Sequence, residues 1–332
     1  MRRPLRARAL AASLALPLVV AAMVVSGGAP ASAAPAGFTI HTSALTAPRG
    51  MAADSTDNVY WVADSDSQEI YAVTASGSAA GSVPLAFTPT DIEALQFHAG
   101  QLYIGDIGDP KGSRPYITVY RLNALNFGHT GGYHAWDFAY PDGKHDAAAM
   151  MVSPRGNIYI VTRGASAGIY RAPATPSTSG VNTLIRVGNA PAWVTDGTFV
   201  GSDKVALRTF TSLYVVNAFT WATTAAAELP RQSDGQALTT ALGSSGKLVA
   251  VGGTTADDVA VPTTLASVAP APSVAPKVSG ASASATTSAS VAAAVSPDAG
   301  GSTASSRTGS LVALVAAAIA GLLAGGVVAF KR

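Results

Sequence analysis

The feature that most constrains this chain is a unit of short β-rich segments that recurs roughly every 40 to 55 residues. The clearest copy spans residues 90–123, where three such segments are separated by a His-Ala-Gly turn and an Asp/Gly/Pro loop. The segments are rich in Val, Ile and Tyr, which favour strands. No helical period of useful length occurs between residues 37 and 261. Recurrence of about four short strands per unit predicts an all-β fold, a β-propeller.

Five such units can be counted, and they open near residues 49, 91, 145, 196 and 234. The fifth unit lacks a good fourth strand, whereas residues 37–42 form a β-rich segment without another partner. We therefore predict five four-stranded blades in which the N-terminal strand is the outer strand of blade five, because this closure removes two open sheet edges. A two-sheet sandwich is the alternative, but the self-similarity of the units disfavours it. A sixth blade would require a further unit that we do not find.

The two ends of the chain predict export and membrane anchoring. Residues 1–33 combine four arginines, an apolar run and the small residues Ala31-Ser32-Ala33, as a secretory signal peptide does. Residues 310–332 contain an uncharged apolar run long enough to span a bilayer, followed by Lys331 and Arg332, which the positive-inside rule keeps in the cytoplasm. We expect a single-pass cell-membrane protein whose body lies outside the cell. An uncleaved N-terminal anchor and attachment to the cell wall are the alternatives.

Composition divides the part between these ends. Residues 34–261 carry the repeated units and form the predicted propeller domain, whereas residues 262–309 are almost wholly Ala, Ser, Thr, Val, Pro and Gly and predict a disordered stalk. Six of the 21 Lys and Arg residues lie in the two terminal segments, so the rest of the chain has fewer basic residues than its 19 Asp and Glu. This acidic balance argues against nucleic acid as a partner.

Several phrases resemble a group of secreted actinobacterial β-propeller proteins of unsettled activity. They are D-I-E-A-L at 91–95, L-Y-I-G-D-I-G-D-P at 102–110, Y-P-D-G-K-H-D-A-A-A-M at 140–150 and V-T-D-G-T-F at 194–199. More distantly, the D-x-E openings resemble phytase-like and gluconolactonase-like propellers, some of which bind Ca²⁺ and hydrolyse esters. Three positions depart from the group's pattern, since Ala148 replaces Glu, Gln236 stands in a Q-G-E position and Pro110 replaces Asn. Each departure removes a charge or an oxygen ligand.

Acidic residues gather where the first strands of the blades begin, and in a propeller these starts surround one opening of the central channel. We predict that Asp91, Glu93, Asp106 and Asp109 could hold a hard cation such as Ca²⁺, which prefers clustered oxygen ligands. The alternative is that these acids bond turn amides and pair with Arg114, Arg163 and Arg208. Further candidate contacts for a ligand at this opening are Arg114, His145, Asp146, Asp196, Arg208 and Asp234.

Two functional hypotheses follow, and no catalytic residue is assigned. The leading one is a binding or scaffold module that holds an extracellular protein, glycan or small ligand at the channel mouth. The alternative is a divalent-metal-dependent extracellular hydrolase of ester or phosphate substrates, in which His145 is the one histidine to test as an acid/base group. Converging carboxylates that are not charge-paired would favour the hydrolase. Paired acids and a channel closed by side chains would favour the binding module.

Overall fold

The structure is a computed structural model, and it describes residues 37–244, 246–266 and 268. Within these residues the chain forms 21 strands and no helix. Among the described residues, no helix is long and apolar enough to cross a membrane. The predicted signal peptide, almost all of the predicted stalk and the predicted transmembrane helix lie outside them.

The strands form five sheets, which are the blades of a propeller, and the predicted all-β fold is confirmed. Blade one contains β2 (Gly50–Asp54), β3 (Val59–Ala63), β4 (Glu69–Thr74) and β5 (Ala79–Pro84). Blade two contains β6 (Ile92–His98), β7 (Gln101–Asp106), β8 (Ile117–Leu122) and β9 (Tyr133–Ala139), with β13 (Val181–Thr183) at its edge. Blade three contains β10 (Ala147–Val152), β11 (Ile158–Thr162), β12 (Gly168–Arg171) and β14 (Ile185–Asn189).

Blades four and five complete the ring. Blade four contains β15 (Val194–Phe199), β16 (Lys204–Thr209), β17 (Ser212–Asn217) and β18 (Thr223–Glu228). Blade five contains β19 (Gly235–Thr240), β20 (Lys247–Gly252), β21 (Thr255–Ala260) and, as its outer strand, β1 (Gly37–Thr39). The first strands contact one another in the circular order β2, β6, β10, β15, β19 and back to β2. The five first strands therefore form a closed ring around the centre of the propeller.

The predicted closure by the N-terminal strand is confirmed. β1 pairs antiparallel with β21, and Phe38 lies opposite Ala256. The aromatic ring of Phe38 stacks on that of Tyr60 in blade one, with the ring centroids 5.5 Å apart. Ile40 follows the strand and is buried in the core between blades five and one. The N-terminal strand thus joins the last blade to the first.

Two strands differ from the prediction for physical reasons. The β-rich sequence of residues 183–187 predicts one continuous fourth strand for blade three, but the chain divides there into β13 and β14 around the buried Leu184. β13 pairs in parallel with β9 of blade two, and the Asn182 amide also donates to the carbonyl of Asp137. The fourth strand of blade four was not predicted, because its Thr-Thr-Ala-Ala-Ala-Glu sequence has a weak strand preference. It forms because it pairs with β17.

Candidate functional site

The two ends of the ring differ in which connections they carry. We name as the loop rim the end at which the first strands begin, where Asp91, Asp146 and Arg163 lie. The hairpin rim is the opposite end, which carries the turns between first and second strands and between third and fourth strands. A six-residue strand separates the two rims by about 20 Å.

A β-bulge lies near the loop-rim end of four of the five first strands. The register shifts between Ile92 and Ala94, between Ala147 and Ala149, between Val194 and Asp196, and between Gly235 and Ala237. The residues in the bulges are therefore Glu93, Ala148, Thr195 and Gln236, at equivalent positions around the ring. Bulges occur preferentially next to functional sites because they redirect a side chain. Ala148 and Gln236 are two of the three positions at which the sequence departs from the pattern of the similar propellers. Among these four bulge positions, only Glu93 therefore has a carboxylate.

Glu93 is the centre of a group of charges that we term the rim ion-pair cluster, namely Arg49, Asp91, Glu93, Asp146 and Arg163. Its Oε2 atom lies 2.5 Å from Nη2 of Arg163 and its Oε1 atom lies 3.7 Å from Nη1 of Arg49. Nη1 of Arg163 is also 3.6 Å from a carboxylate oxygen of Asp146. Burial raises the pKa of Asp91, although Arg49 acts to lower it. The predicted ligands Glu93 and Asp146 are thus paired with arginines of the protein itself.

Asp106 and Asp109 are buried and hold the loop that follows β7. The Asp106 carboxylate accepts hydrogen bonds from the backbone amides of Thr90 and Asp91, and from Nη1 of Arg114 at 2.9 Å. Asp109 accepts from the amides of Ser113 and Arg114. The carboxylate oxygens of Asp106 and Asp109, which were predicted to bind a cation, therefore accept hydrogen bonds from the protein itself.

The loop backbone approaches the Asp91 side chain closely at Gly108. A Cβ atom on Gly108 would lie 2.1 Å from the Asp91 carboxylate, so a larger residue at this position would displace the Asp91 side chain. The close approach of backbone and carboxylate gives a physical reason for the glycine in the phrase G-D-I-G-D.

The oxygen atoms of this region do not fit a cation site in the observed arrangement. Among the described residues, no three His, Asp or Glu side chains are grouped so that they could hold a metal ion. Asp106 and Asp109 accept from backbone amides, and Glu93 and Asp146 face arginines. Calcium binding therefore stays a prediction.

Asp196 and Arg208, two predicted ligand contacts, are fully buried between blades four and five. Asp196 accepts from the amides of Gly197 and Leu238, both at 2.7 Å. Arg208 donates through Nη1 to the carbonyls of Ala237 and Val251, at 2.6 and 2.7 Å. Burial raises the pKa of Asp196 well above its ordinary value and lowers the pKa of Arg208 to about 10. Asp234, by contrast, is exposed at the loop rim.

A side chain crosses the channel below the rim ion-pair cluster. Nε2 of Gln96 in blade two donates to the carbonyl of Gly197 in blade four at 3.2 Å, and Thr198 donates through Oγ1 to Oε1 of Gln96 at 3.4 Å. Both hydrogen bonds are buried. Opposite blades are therefore tied together across the centre, which favours the binding hypothesis over a substrate channel.

Beside the ion-pair cluster, the loop rim carries a cavity of about 170 Å³, which we name the rim cavity. Its walls come from the loop after β7 and from the connection between β9 and β10, and they include Asp109, Arg114, Tyr116, Tyr140, Lys144 and His145. Nζ of Lys144 donates to the carbonyl of Ser113 at 2.9 Å. The hydroxyl of Tyr140 is buried and has no hydrogen-bond partner among the described residues.

A polar network adjoins the rim cavity. The Asp142 carboxylate accepts from the Tyr170 hydroxyl at 2.8 Å and lies 3.0 Å from Nε2 of His145. Burial acts to raise the pKa of Asp142, but the hydrogen bonds from Tyr170 and His145 hold it below its ordinary value. The prediction singled out His145 and overlooked Asp142, Tyr140, Lys144 and Tyr170. The phrase Y-P-D-G-K-H contains all but the last of these residues, and only the packing of blade three brings Tyr170 to them.

Replacing Glu93 by Gln is expected to change how stability depends on pH. Burial raises the pKa of Glu93 to about 7, against the opposing effects of Arg163 and Arg49. An unfolded Glu titrates near 4.3, so the folded chain holds a proton that the unfolded chain has lost between these values. The free energy of unfolding of the wild type should therefore fall as the pH rises from about 4.5 to 7, by on the order of 3 kcal/mol relative to Glu93→Gln.

Urea unfolding of both proteins at a series of pH values measures this difference, because titrations shared by the two chains cancel. If the two stability curves run parallel between pH 4.5 and 8, the burial of Glu93 has no such effect.

Comparisons with known proteins leave the family open. No protein-family profile matches the sequence, and no curated protein matches it. Among solved structures, the chain is similar to a gluconolactonase from Xanthomonas campestris, at 14% identity and a TM-score of 0.43, over 65% of this chain and 72% of that one. A putative gluconolactonase shares 10% identity with a TM-score of 0.42, over 70% and 94%. A streptogramin B lyase shares 13% with a TM-score of 0.37, over 67% and 96%.

At TM-scores below 0.5 and identities of 10 to 14%, these neighbours do not establish the family, the activity or the ligand of this chain. The distant resemblance to gluconolactonase-like propellers stays a prediction. The resemblance to secreted actinobacterial propellers stays a prediction.

Proposed function

We propose that this chain is an exported, membrane-anchored binding propeller that holds an oxyanion group of its ligand, a carboxylate or a phosphate, in the rim cavity. Arg114, Lys144 and the Tyr140 hydroxyl would provide the contacts, with His145 at the edge. This proposal keeps the leading hypothesis from the sequence and places the ligand beside the channel mouth.

The observation that carries the proposal is Tyr140, which lines the rim cavity together with Arg114 and Lys144. Its hydroxyl is buried and has no hydrogen-bond partner among the described residues. A buried polar atom without a hydrogen bond costs about 1 to 3 kcal/mol, and a bound acceptor would remove this cost. Burial raises the pKa of Tyr140 well above its ordinary value, so the hydroxyl keeps its proton at neutral pH and can donate. Arginine and lysine side chains are the usual partners of carboxylate and phosphate groups.

The size of the cavity defines what part of a ligand it can take. Its 170 Å³ is below the roughly 300 to 1,000 Å³ typical of sites that enclose a whole small molecule. The cavity therefore suits one charged group, while the rest of the ligand lies over the loop rim. Exposed Tyr116 offers an aromatic surface at the cavity edge for that remainder.

Titration of the full-length protein in detergent with phosphate and with acetate tests the proposal. Lys144→Met and Tyr140→Phe should each weaken binding about tenfold or more, because a hydrogen bond to a charged group contributes about 1.5 to 3 kcal/mol. Lys111→Met is the matched control, since Lys111 is an exposed lysine of the neighbouring loop that does not line the cavity. Equal binding by all four proteins, or no binding at about 100 mM of either anion, would overturn the proposal.

The metal-dependent hydrolase can be distinguished from the binding propeller by its need for a cation. We expect the same melting curve in millimolar Ca²⁺ and in chelator, because the carboxylate oxygens already accept hydrogen bonds from the protein. Binding to the folded state alone would instead add about 2.7 kcal/mol at a hundredfold excess over Kd. A Ca²⁺-dependent rise in melting temperature that Asp106→Asn abolishes would favour the metal-dependent hydrolase.

A further inference from the structure

A second cavity lies on the hairpin rim between blades three and four, at the end of the ring opposite the rim cavity. It has a volume of about 410 Å³, which is within the range of small-molecule sites. Four aromatic residues line it, together with two arginines, and we name it the aromatic cleft: Tyr159, Phe199, Phe219, Trp221, Arg155 and Arg171.

The aromatic residues are held in place by a turn of defined geometry. Trp221 has a φ of +57°, in the left-handed region that a bulky side chain rarely adopts. The turn is held by Asn217, whose Oδ1 atom accepts from the amides of Phe219 and Thr220 at 2.9 Å, and whose carbonyl accepts from the amide of Trp221 at 2.8 Å. Strain of this kind persists only where the surrounding structure determines it, and it concentrates at functional sites.

Trp221 also depends on its neighbours for position. A Cβ atom on Gly188 would lie 2.6 Å from the Cβ atom of Trp221, so the absence of a side chain at Gly188 admits the indole. The Trp221 ring lies 5.2 Å from that of Tyr159, which in turn lies 5.8 Å from that of Phe199. Phe219 is 71% exposed, an unusual state for a residue of this size. The cleft therefore presents a preformed aromatic surface to solvent.

The charges in the cleft are of one sign. Arg155 and Arg171 are both exposed, and no Asp or Glu is among the described residues that line the cleft. Neither guanidinium group makes a hydrogen bond or an ion pair with another described residue. Both arginines are therefore available to an anionic group of a ligand.

Two other cavities between blades show that these features are particular to this cleft. The cavity between blades two and three contains Trp136, but Arg121 covers that ring at 5.3 Å and His134 stacks on it at 6.1 Å. The cavity between blades four and five is lined by no aromatic residue among those described. Of these three cavities, as far as the described residues show, the aromatic cleft is the one in which aromatic rings and unpaired arginines are open to solvent together.

We propose that the aromatic cleft binds an acidic saccharide, with a sugar ring against Trp221 and Tyr159 and its carboxylate on Arg155 or Arg171. Aromatic rings provide a flat, rigid contact surface with little loss of side-chain entropy. Short polar side chains, those of Ser153, Asn157 and Ser202, also line the cleft and can bond sugar hydroxyls, which an apolar aromatic ligand lacks. This site is independent of the rim cavity, since it lies at the other rim.

The test measures binding of a disaccharide of glucose and glucuronic acid to the full-length protein in detergent. Binding is measured by calorimetry and by tryptophan fluorescence. We expect the disaccharide to bind and Trp221→Ala to weaken this binding at least tenfold. Phe219→Ala serves as a second variant, because this exposed residue can be changed without disturbing the core. Arg155→Gln and Arg171→Gln should weaken binding of the acidic disaccharide but leave binding of its neutral counterpart, cellobiose, unchanged. Arg186→Gln, at an exposed arginine outside the cleft, is the control.

Lys144→Met separates the two sites, because it changes the rim cavity alone and should leave saccharide binding unchanged. Loss of saccharide binding in Lys144→Met together with full binding in Trp221→Ala would overturn the proposal. Absence of disaccharide binding would also overturn it. Benzoate binding as tight as that of the acidic disaccharide would assign the cleft to aromatic acids instead.

Discussion

Arg208→Ala is expected to lower the free energy of unfolding by about 3 to 5 kcal/mol, because it removes a large buried side chain that is the hydrogen-bond donor of two carbonyls. Arg208 is fully buried, and its guanidinium group joins the carbonyls of Ala237 and Val251 in blade five to its own blade four. Its removal leaves two buried carbonyls without their donor. It also takes away the positive charge that acts to lower the pKa of the buried Asp196. It also leaves a cavity the size of an arginine side chain, which adds to the loss.

Urea unfolding of the variant beside Arg231→Ala measures this effect. Arg231 is an exposed arginine in the connection between the same two blades, so its removal changes the net charge equally and should alter stability by less than about 0.5 kcal/mol. Arg208→Met, which restores volume without charge, should recover part of the loss because it refills the cavity. If Arg208→Ala is as stable as Arg231→Ala, the contact between blades four and five does not depend on this side chain.

Deletion of residues 37–42 is expected to destabilise the propeller by on the order of 5 kcal/mol, because it opens the ring. The deletion removes the whole of β1 and exposes the edge of β21. It also removes the buried Ile40 and the stacking of Phe38 on Tyr60, both of which join blade five to blade one. A frayed terminus would contribute almost nothing, so the magnitude distinguishes closure from a loose end.

The melting temperature of this variant is compared with that of a deletion of equal length, residues 280–285, in the predicted stalk. The stalk deletion should leave the melting temperature unchanged, and Ile40→Ala alone should cost about 2 to 4 kcal/mol. A melting temperature that is the same in all of these proteins would show that the ring is closed by contacts other than β1.

For the acidic residues of the loop rim, the sequence predicted their position but not their partners. Grouping Asp91, Glu93, Asp106 and Asp109 at one rim followed from the propeller architecture, and the structure does bring them to that rim. Their partners did not follow, because Glu93 and Arg163 are 70 residues apart in the chain. A carboxylate that binds a cation and one that bonds an arginine cannot be distinguished in the sequence. The choice between them depends on the side chain that folding places opposite.

Local patterns determined the architecture. Alternating residues, turn residues and the spacing of the units are properties of a few neighbouring positions, and they were sufficient for the blade count, for most first, second and third strands, and for the closing strand. The strand β18 and the division of β13 from β14 were not determined in this way, since pairing with a neighbouring strand overrides weak local preference.

Contacts between distant segments decided the rest. The bond from Gln96 to Gly197 spans 101 residues, and the bond from Arg208 to Val251 spans 43. The aromatic cleft exists only because blades three and four bring Tyr159, Phe199 and Trp221 to one surface. The sequence by itself therefore determined a five-bladed propeller and the grouping of Asp91, Glu93, Asp106 and Asp109 at its loop rim. Only the tertiary structure decided which of these are already paired and which surfaces stay open, because pairing depends on distances between blades that no local pattern encodes.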